Sequence, residues 1–237
     1  LAMSSLKPID VLKTKTDIKI SGFSLQQFLI VFQFVASIVL IISSVVIYRQ
    51  INFMKNKELG YDKENVVTIW IKDRALREKF DVLANEWQQH PGVVHTTMTT
   101  SLPADISSST LIKKTAAEKD QLAIYQWSVG ADFLNVFGIE LVAGRTFSEE
   151  IKSDVTEENL IINETAARAL GWTAEEAVGK QVDRDGPRTI IGVVKDFHML
   201  SMHLPIQPLM IRYTNFWGRF FALKIEPTEI PQTLSHV

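Results

Sequence analysis

The stretch that decides the fold is FLIVFQFVASIVLIISSVVIY, which runs from Phe28 to Tyr48. It contains no acidic or basic side chain over about 21 residues, and a helix of that length rises ~30 Å, the thickness of a bilayer's hydrocarbon core. Its many Val and Ile residues would also suit a buried strand, but strands rarely exceed about 10 residues. The stretch therefore predicts a transmembrane helix.

A secretory signal peptide is the main alternative for an apolar run so near the start of a sequence. Signal peptides have an apolar core of about 7 to 15 residues and a cleavage site made of small residues. The run here is longer, and it is followed by Tyr48, Arg49 and Gln50. We therefore expect the helix to be retained.

Four polar residues lie inside the apolar stretch, namely Gln33, Ser37, Ser43 and Ser44. Lipid tolerates such residues when they face a neighbouring helix or bond back to the backbone. Their presence suggests that this helix has helical partners.

The helical pattern continues beyond the apolar stretch. Residues 49–59, RQINFMKNKEL, are good helix formers, and Gly60 is placed as a C-terminal stop. A helix from about Leu25 to Leu59 would be ~52 Å long, so about 20 Å would project beyond the lipid. We interpret this projection as a stalk that joins the bilayer to the rest of the chain.

Composition excludes several classes of function. The 237 residues are 46% hydrophobic and 22% charged with a net charge of −2, which leaves one globular domain of roughly 180 residues beside the helix. The basic residues are scattered among acidic ones, so no nucleic-acid partner is indicated. The absence of cysteine excludes disulfides, thiolate zinc sites and cysteine nucleophiles.

Both ends of the sequence resemble cuts through a longer protein. Leu1 is not a start methionine, and the chain stops soon after Glu229, Ile230 and Pro231 open a new helix. The single membrane helix is therefore a lower bound. Lysines and arginines flank it on both sides, so charge alone does not fix its orientation.

After the stalk, the pattern predicts a βαβ unit. Its parts are a strand over Val66–Ile71, a helix over Arg74–Gln89 and a strand over Val93–Met98, and a right-handed crossover is the default for such a unit. The following serine-rich segment, ADISSST, is predicted to be a mobile loop or a crossing between subdomains.

The rest of the chain is predicted to alternate strands with short helices. Strands are expected at Thr110–Lys114, Leu122–Val129, Leu160–Ile162, Thr189–Phe197, Leu209–Tyr213 and Phe220–Ile225. Helices are expected at Phe133–Phe137 behind the cap Asp132, at Glu164–Leu170 behind the cap Asn163, and after the capping box of Thr173 and Glu176. Gly192 interrupts a strand and indicates a bulge or a close backbone approach, while 152–158 is predicted to be an exposed loop.

The sequence contains only weak candidates for a catalytic or metal-binding site. Asp196, His198 and His203 could supply nitrogen and oxygen ligands to a metal, but a polar loop is the favoured interpretation. No glycine-rich phosphate loop occurs, and the serines at 107–109 lack the strained turn of a hydrolase nucleophile. Asn163 also begins a glycosylation sequon, although its position favours a helix cap. We predict no catalytic residue, no metal and no cofactor.

Several stretches, in this order, resemble the FtsX-like permease family of ABC transporters with a MacB-type periplasmic core domain. They are SSLKPIDVLKTK from Ser4, FSLQQFLIVFQFVASIVLII from Phe23, VGADFLNVFGIELVAGRTFS from Val129, IINETAARALGWTAEEAVGKQV from Ile161 and IIGVVKDFHMLSMHLPIQPLM from Ile190. Each is a generic cap or turn alone, whereas their order after a membrane helix is fairly specific. The resemblance covers nearly the whole chain.

The resemblance implies an α+β fold in which a transmembrane helix extends as a stalk into a two-lobed extracytoplasmic α/β domain. It implies a cytoplasmic linker over 1–20, the membrane and stalk helix over 21–60, and a periplasmic core domain over 61–237. Within that domain we map a βαβ lobe onto 64–102 and 205–237, and an inserted lobe onto 103–204.

The resemblance also implies a non-enzymatic permease subunit in a bacterial inner membrane. Its expected partners are a cytoplasmic ABC ATPase and a second permease half. We expect Arg49, Asn52 and Lys55 of the stalk to couple the two sides of the membrane. The polar loop is the expected contact for a partner or cargo, through Asp105, Ser107, Ser108, Ser109 and Thr110.

Two alternatives from other classes remain open. One is a membrane-anchored sensor, which needs a small-molecule pocket lined by convergent polar groups. The other is a cell-envelope scaffold that recruits a partner enzyme and exports no substrate.

Overall fold

The apolar stretch forms one uninterrupted helix, α1 (Leu25–Asn56, 32 residues, ~48 Å long). The computed structural model describes residues 19–20, 23–115, 117, 120–214, 218–228 and 230–236. It divides into two compact units, one ending at Lys57 and the other beginning at Glu58. In the first unit, α1 follows a short antiparallel pair of strands, β1 (Lys19–Ile20) and β2 (Phe23–Ser24).

Helix α1 has the properties of a membrane span. Of the helices in the described ranges, it is the one long and apolar enough to cross a bilayer, and none of its side chains is buried. The hydroxyls of Ser37 and Ser44 donate to the carbonyls of Gln33 and Leu40, each at 2.8 Å, so both bond back to the backbone as expected. The predicted linker over 1–20 lies outside the described residues, except for β1.

Helix α1 ends earlier than its sequence predicted. The last helical residue is Asn56, and residues 57–59 are not helical. The helix therefore runs about eight residues past Tyr48, a projection of ~12 Å rather than the expected 20 Å or so.

The second unit is built on a ten-stranded mixed sheet. Its strands are β3 (Val66–Trp70), β4 (Val93–Thr99), β5 (Ser109–Ile112), β6 (Leu122–Val129), β7 (Leu141–Gly144), β8 (Asn159–Asn163), β9 (Gln181–Asp183), β10 (Pro187–Val194), β11 (Leu209–Tyr213) and β12 (Phe220–Ile225). The strand order is β3-β12-β4-β6-β11-β8-β10-β7, with β5 on β6 and β9 on β10. The helices are α2 (Arg74–Arg77), α3 (Phe80–Trp87), α4 (Phe133–Phe137), α5 (Lys152–Val155), α6 (Glu164–Ala169), α7 (Ala174–Ala177) and α8 (Ile230–His236).

The predicted βαβ unit is split by a strand from the far end of the chain. Strand β12 lies between β3 and β4 and is antiparallel to both, so β3 and β4 run parallel without touching. The single helix predicted between them forms as α2 and α3. Trp87 of α3 packs on Met98 and Phe221, which form the core of this part of the sheet.

The sheet narrows to a single residue pair between β4 and β6. Thr99 pairs with Val129, and the two strands diverge from there. Strand β11, assigned from the sequence to the βαβ lobe, pairs instead with β6 and β8 from the segment mapped as the inserted lobe. The lobe boundaries themselves stay a prediction.

The central strands of the sheet pack against a hydrophobic core on each face. In β10, the backbone at Gly192 determines which side chains face each core. Ile190 and Val193 lie in one core, while Ile191 and Val194 lie in the other. Residues three apart share a face only because the pairing shifts register at Gly192, which confirms the predicted bulge. A side chain at Gly192 would meet the Arg145 carbonyl, so the predicted close backbone approach is present too.

Two of the three helix caps proposed from sequence are confirmed. The third, Asp132, precedes α4 but its side chain accepts no hydrogen bond from the backbone of that helix, because it contacts His95 and Asn135 instead. The Asn163 side chain accepts from the Ala166 N–H at 2.9 Å and also from the Leu209 N–H at 2.9 Å. Because Asn163 is fully buried, its sequon is not open to glycosylation in this fold. Thr173 and Glu176 form the expected reciprocal capping box.

One stretch was predicted wrongly as an exposed loop. Residues 152–155 form α5, and the Asp154 side chain is fully buried. Its carboxylate accepts two hydrogen bonds from Arg145, at 2.7 and 3.1 Å, and further ones from the Ser148 N–H and Asn159. The residues of this stretch are mostly polar, and the sequence pattern alone does not distinguish a buried hydrogen-bond network from a solvated loop. The short edge strands β7 and β9 were also missed.

Candidate functional site

The proposed coupling residues lie on the exposed C-terminal part of α1, but not on one face. At ~100° per residue, Asn52 lies about 60° from both Arg49 and Lys55, which are about 120° apart, and Asn56 lies about 20° from Arg49. The Asn56 amide donates to the Asn52 side chain at 3.4 Å. The three residues therefore spread over about 120° of the helix surface, with Asn52 between the other two.

The polar loop is anchored at two points. Ile106 is fully buried and donates its N–H to the Met199 carbonyl at 3.2 Å. The Ser108 carbonyl and hydroxyl accept from Gln126, at 2.9 and 2.8 Å. Asp105 and Ser107 between and beside these anchors are exposed.

The end of the predicted loop belongs to the sheet. Ser109 and Thr110 begin β5 and pair with Tyr125 and Ile124 of β6. Of the five candidate contact residues, Asp105 and Ser107 are therefore the two exposed ones outside the sheet whose side chains form no hydrogen bond with the described residues.

The weak metal candidate does not assemble into a site. The Asp196 carboxylate accepts from the Thr165 N–H at 2.9 Å and its hydroxyl at 2.8 Å, and it pairs with Arg168 at 2.6 Å. His203 is exposed. Among the described residues, no group of three or more histidines and carboxylates could hold a metal ion.

A cleft of about 330 Å³ opens where β4 and β6 diverge. Helix α3 contributes polar side chains to it, and further lining residues come from β4, from the turn after β6 and from the end of β11. The lining residues include Asp81, Thr97, Asp132, Glu149 and Tyr213. They come from five separate segments, so no local motif in the sequence could have pointed to them.

The cleft is acidic. Asp81, Asp132 and Glu149 line it, and no lysine or arginine does so among its described lining residues. Asp132 contacts the His95 ring at 2.7 Å, and the Tyr213 hydroxyl donates to Glu149 at 3.3 Å. Burial, followed by the charge of Glu149, raises the pKa of Tyr213 above its usual value, so the phenol stays protonated.

Two polar groups of the cleft lack a partner within the described part of the chain. The Asp81 carboxylate forms no hydrogen bond or ion pair there, and the Thr97 hydroxyl is buried without a hydrogen bond. Thr97 is only 1% exposed, and its hydroxyl lies against Gly130 in the cleft lining. Unsatisfied buried hydroxyls are rare in folded proteins.

Several solved structures are similar to parts of this chain. The periplasmic region of MacB from Actinobacillus actinomycetemcomitans is 20% identical, with a TM-score of 0.49 over 74% of this chain and 82% of that one. A domain of a putative permease from Porphyromonas gingivalis is 20% identical, with a TM-score of 0.42 over 65% of this chain and 76% of that one. The extracellular domain of the noncanonic ABC-type transporter YknZ from Gram-positive bacteria is 15% identical, with a TM-score of 0.46 over 71% of this chain and 88% of that one. No match was found among curated protein sequences.

The match to a protein family covers a much larger part of the chain than any single local motif does. The family described as MacB-like periplasmic core domain matches residues 28–235, which include most of α1 and nearly all of the sheet unit. This match confirms the resemblance inferred from the sequence stretches. The chain belongs to the family with a MacB-like periplasmic core domain, found in ABC transporter permeases.

Proposed function

We propose that this chain is the anchoring helix and periplasmic domain of a permease subunit in an ABC-type exporter or mechanotransmission complex. In this proposal, α1 crosses the bacterial inner membrane, residues 1–20 are a cytoplasmic linker, and residues from about 61 onward are periplasmic. A partner ATPase hydrolyses ATP in the cytoplasm, and the periplasmic domain moves in response. A second permease half completes the membrane portion.

The observation that supports the proposal most strongly is that the apolar helix is followed directly by the family domain. Only Lys57 and Glu58 separate the last helical residue of α1 from Leu59, whose carbonyl accepts the His198 N–H at 2.8 Å. The path from Asn56 to Leu59 has three Cα–Cα steps and spans at most ~11 Å, so displacement of the helix end has limited slack before it reaches a hydrogen-bonded residue. Coupling therefore depends on this short linker, not on the longer unbroken helix expected from the sequence.

The chain contributes no energy source of its own. The sequence contains neither a glycine-rich phosphate loop nor a dinucleotide fingerprint, so ATP hydrolysis is carried outside these residues, by a separate or a fused ATPase. We propose a mechanical and binding role, with no catalytic residue, for the periplasmic domain.

Co-purification tests this function. The full-length protein is isolated in mild detergent, its partners are identified by mass spectrometry, and ATP hydrolysis is measured in lipid nanodiscs. We expect a P-loop ATPase whose turnover rises when the permease is present. Recovery of a histidine kinase without an ATPase would instead support the sensor, and recovery of a cell-wall enzyme alone would support the scaffold.

The acidic cleft is the specific observation that favours a sensor as the second candidate. Sensors need a concave site with a few convergent polar groups, and the cleft has the size and the lining of such a site.

A further inference from the structure

We propose that the open edge of β3 pairs with the same edge of a second copy of this chain, in antiparallel orientation about Thr68. The two ten-stranded sheets would then join into one continuous sheet. The pairing adds a contact between sheet units to the membrane contact of two permease halves proposed above. It requires two copies anchored in one membrane, but neither ATP nor an ATPase.

Strand β3 has an open backbone edge. Within the described part of the chain it pairs with β12 alone. The Ile71 N–H donates to the Arg219 carbonyl at 2.8 Å, so the odd-numbered residues of this strand direct their N–H and C=O groups at β12. Those of Val66, Thr68 and Trp70 therefore point to the open edge, where another strand can bond them.

The sequence of β3 lacks the features that usually protect an edge strand. Natural edges carry charged residues, proline or bulges that prevent pairing with another chain. The five residues of β3, VVTIW, include no charge, proline or glycine, and Trp70 is 62% exposed. At the other end of the sheet, β7 ends at Gly144 and its pairing with β10 shifts register. The β3 edge is therefore the one open to strand addition.

The charges that flank β3 favour antiparallel pairing with a second copy. Lys63 and Glu64 precede the strand, Lys72 and Asp73 follow it, and all four residues are exposed. None of them forms an ion pair with another described residue. Antiparallel pairing about Thr68 places Lys63 near the second copy's Asp73 and Glu64 near its Lys72, twice by symmetry. Parallel pairing would instead place each charge beside its own copy.

The exposed face of β3 is also complementary in shape to itself. The side chains of Val66, Thr68 and Trp70 share this face because side chains alternate along a strand. Beside Val66 and Thr68 lies a recess of about 160 Å³, whose further apolar lining is Tyr61, Leu102, Pro103 and Phe137. Since Val66 lies opposite the second copy's Trp70 in this register, each indole lies next to the recess of the other copy.

The contact is small, and the membrane compensates for its size. Three outward-facing residues from each copy form up to about six main-chain hydrogen bonds. Such a contact is weak in dilute solution, whereas anchoring two copies in one membrane raises their effective concentration. The pairing is therefore tested in membranes.

Disulfide cross-linking at the symmetry axis is the first test. The chain contains no cysteine, so Thr68→Cys introduces a single thiol. The Cα atoms of a hydrogen-bonded antiparallel pair lie ~5.5 Å apart, within the ~4.4–6.8 Å range of a disulfide. After oxidation of vesicles that contain the full chain, we expect most of it to run as a dimer on a non-reducing gel. Val82→Cys, 66% exposed on α3, is the control and should give at least about fivefold less dimer.

The register is tested with two further cysteine variants. Positions 66 of the two copies are offset by about four residues, or ~14 Å, which is too far for a disulfide, and the same holds for positions 70. Val66→Cys and Trp70→Cys are therefore expected to cross-link poorly alone. Co-expressed with different tags, they should cross-link to each other.

A proline variant tests whether the backbone forms the contact. Proline is tolerated on an edge strand where the N–H faces solvent, as that of Thr68 does, but it removes the central donor from both copies. Thr68→Pro should lower the cross-link between positions 66 and 70 at least about fivefold, with an unchanged circular dichroism spectrum. If Thr68→Pro does not fold, the comparison of Thr68→Cys with Val82→Cys still decides.

Three outcomes would overturn the proposal. The first is that Thr68→Cys forms no more dimer than Val82→Cys. The second is that Val66→Cys alone cross-links as strongly as its mixture with Trp70→Cys, which would mean random collision. The third is that mass spectrometry finds a different protein linked to Thr68→Cys, so that another partner occupies the edge. Because no ATPase takes part, each outcome is independent of the co-purification test of the proposed function.

Discussion

Replacing Trp127 by alanine is expected to lower the free energy of unfolding by about 4 kcal/mol, because it removes the largest side chain of the main core. The Trp127 side chain is 0% exposed. Its ring centroid lies 5.8, 5.5 and 5.9 Å from those of Phe133, Phe137 and Phe197. The loss of stability is measured by equilibrium denaturation of the chain in detergent, with far-ultraviolet circular dichroism as the signal.

The polar edge of Trp127 adds to this effect. Its indole N–H donates to the Thr99 hydroxyl at 2.6 Å and to the Ser101 carbonyl at 2.8 Å. Thr99 is also the residue that joins β4 to β6, so the indole packs beside the narrowest point of the sheet. Trp127→Phe keeps an aromatic ring but removes both hydrogen bonds of the indole N–H, and should destabilise less than alanine does.

Trp70 provides the matched control. It is 62% exposed on β3, and the Lys72 ammonium lies 4.7 Å from its ring centroid. Trp70→Ala is expected to change stability by less than about 1 kcal/mol. Equal losses at the two positions would contradict the core assigned here.

Asp154→Asn is expected to destabilise the domain by about 3 kcal/mol. The buried carboxylate accepts from both arms of Arg145, from the Ser148 N–H and from Asn159, and an amide would place N–H donors against donors. Breaking a fully buried pair costs about 3–5 kcal/mol, and the lower value applies because the Arg145 side chain is 42% exposed. Asp105→Asn, at an exposed site, should cost less than about 0.5 kcal/mol.

The same carboxylate should make stability depend on pH. Burial alone would raise the pKa of Asp154, but hydrogen bonds from Arg145, Asn159 and the Ser148 N–H outweigh it and hold the pKa below the usual 3.8. The folded state therefore binds this proton less readily than the unfolded state. Its contribution is fully present above about pH 4 and is lost as pH falls through the folded pKa.

Denaturation at a series of pH values tests this sign. The stability difference between the unmodified chain and Asp154→Asn should be constant near neutral pH and shrink in acid. A difference that grows below pH 4 or so would contradict the assigned network.

Features that depend on neighbours in the chain could be predicted from the sequence. The uninterrupted apolar run predicted α1, because only a helix of that length satisfies its backbone in lipid. Asn163 and Thr173 predicted helix starts because a short polar side chain reaches the free N–H groups of the first turn. Gly192 predicted the bulge because a strand tolerates glycine poorly except where backbone segments approach closely.

Features that depend on distant segments could not be predicted from local pattern. The insertion of β12 between β3 and β4 joins residues more than 100 positions apart, and nothing in either strand specifies its neighbour. Helix α5 has four residues and is held mainly by the Asp154 network, which the sequence displays only as scattered polar residues. The cleft likewise exists only once β4 and β6 have diverged.

We propose that motion of α1 reaches the periplasmic domain through the short linker after Asn56. The direct test inserts about ten glycine and serine residues between Lys57 and Glu58 of the full-length protein, which adds a flexible span of ~17 Å. The same insertion between Asp185 and Gly186 is the control, because nothing lies within 4 Å of a side chain built at Gly186. Hydrogen exchange of the domain is then compared with and without ATP and vanadate, in complex with the partner ATPase.

We expect ATP to change exchange in the unmodified protein and in the control insertion. The insertion after Lys57 should abolish that change while the ATPase still binds and hydrolyses ATP. An unchanged ATP response in the protein with the lengthened linker would contradict mechanical coupling through this helix.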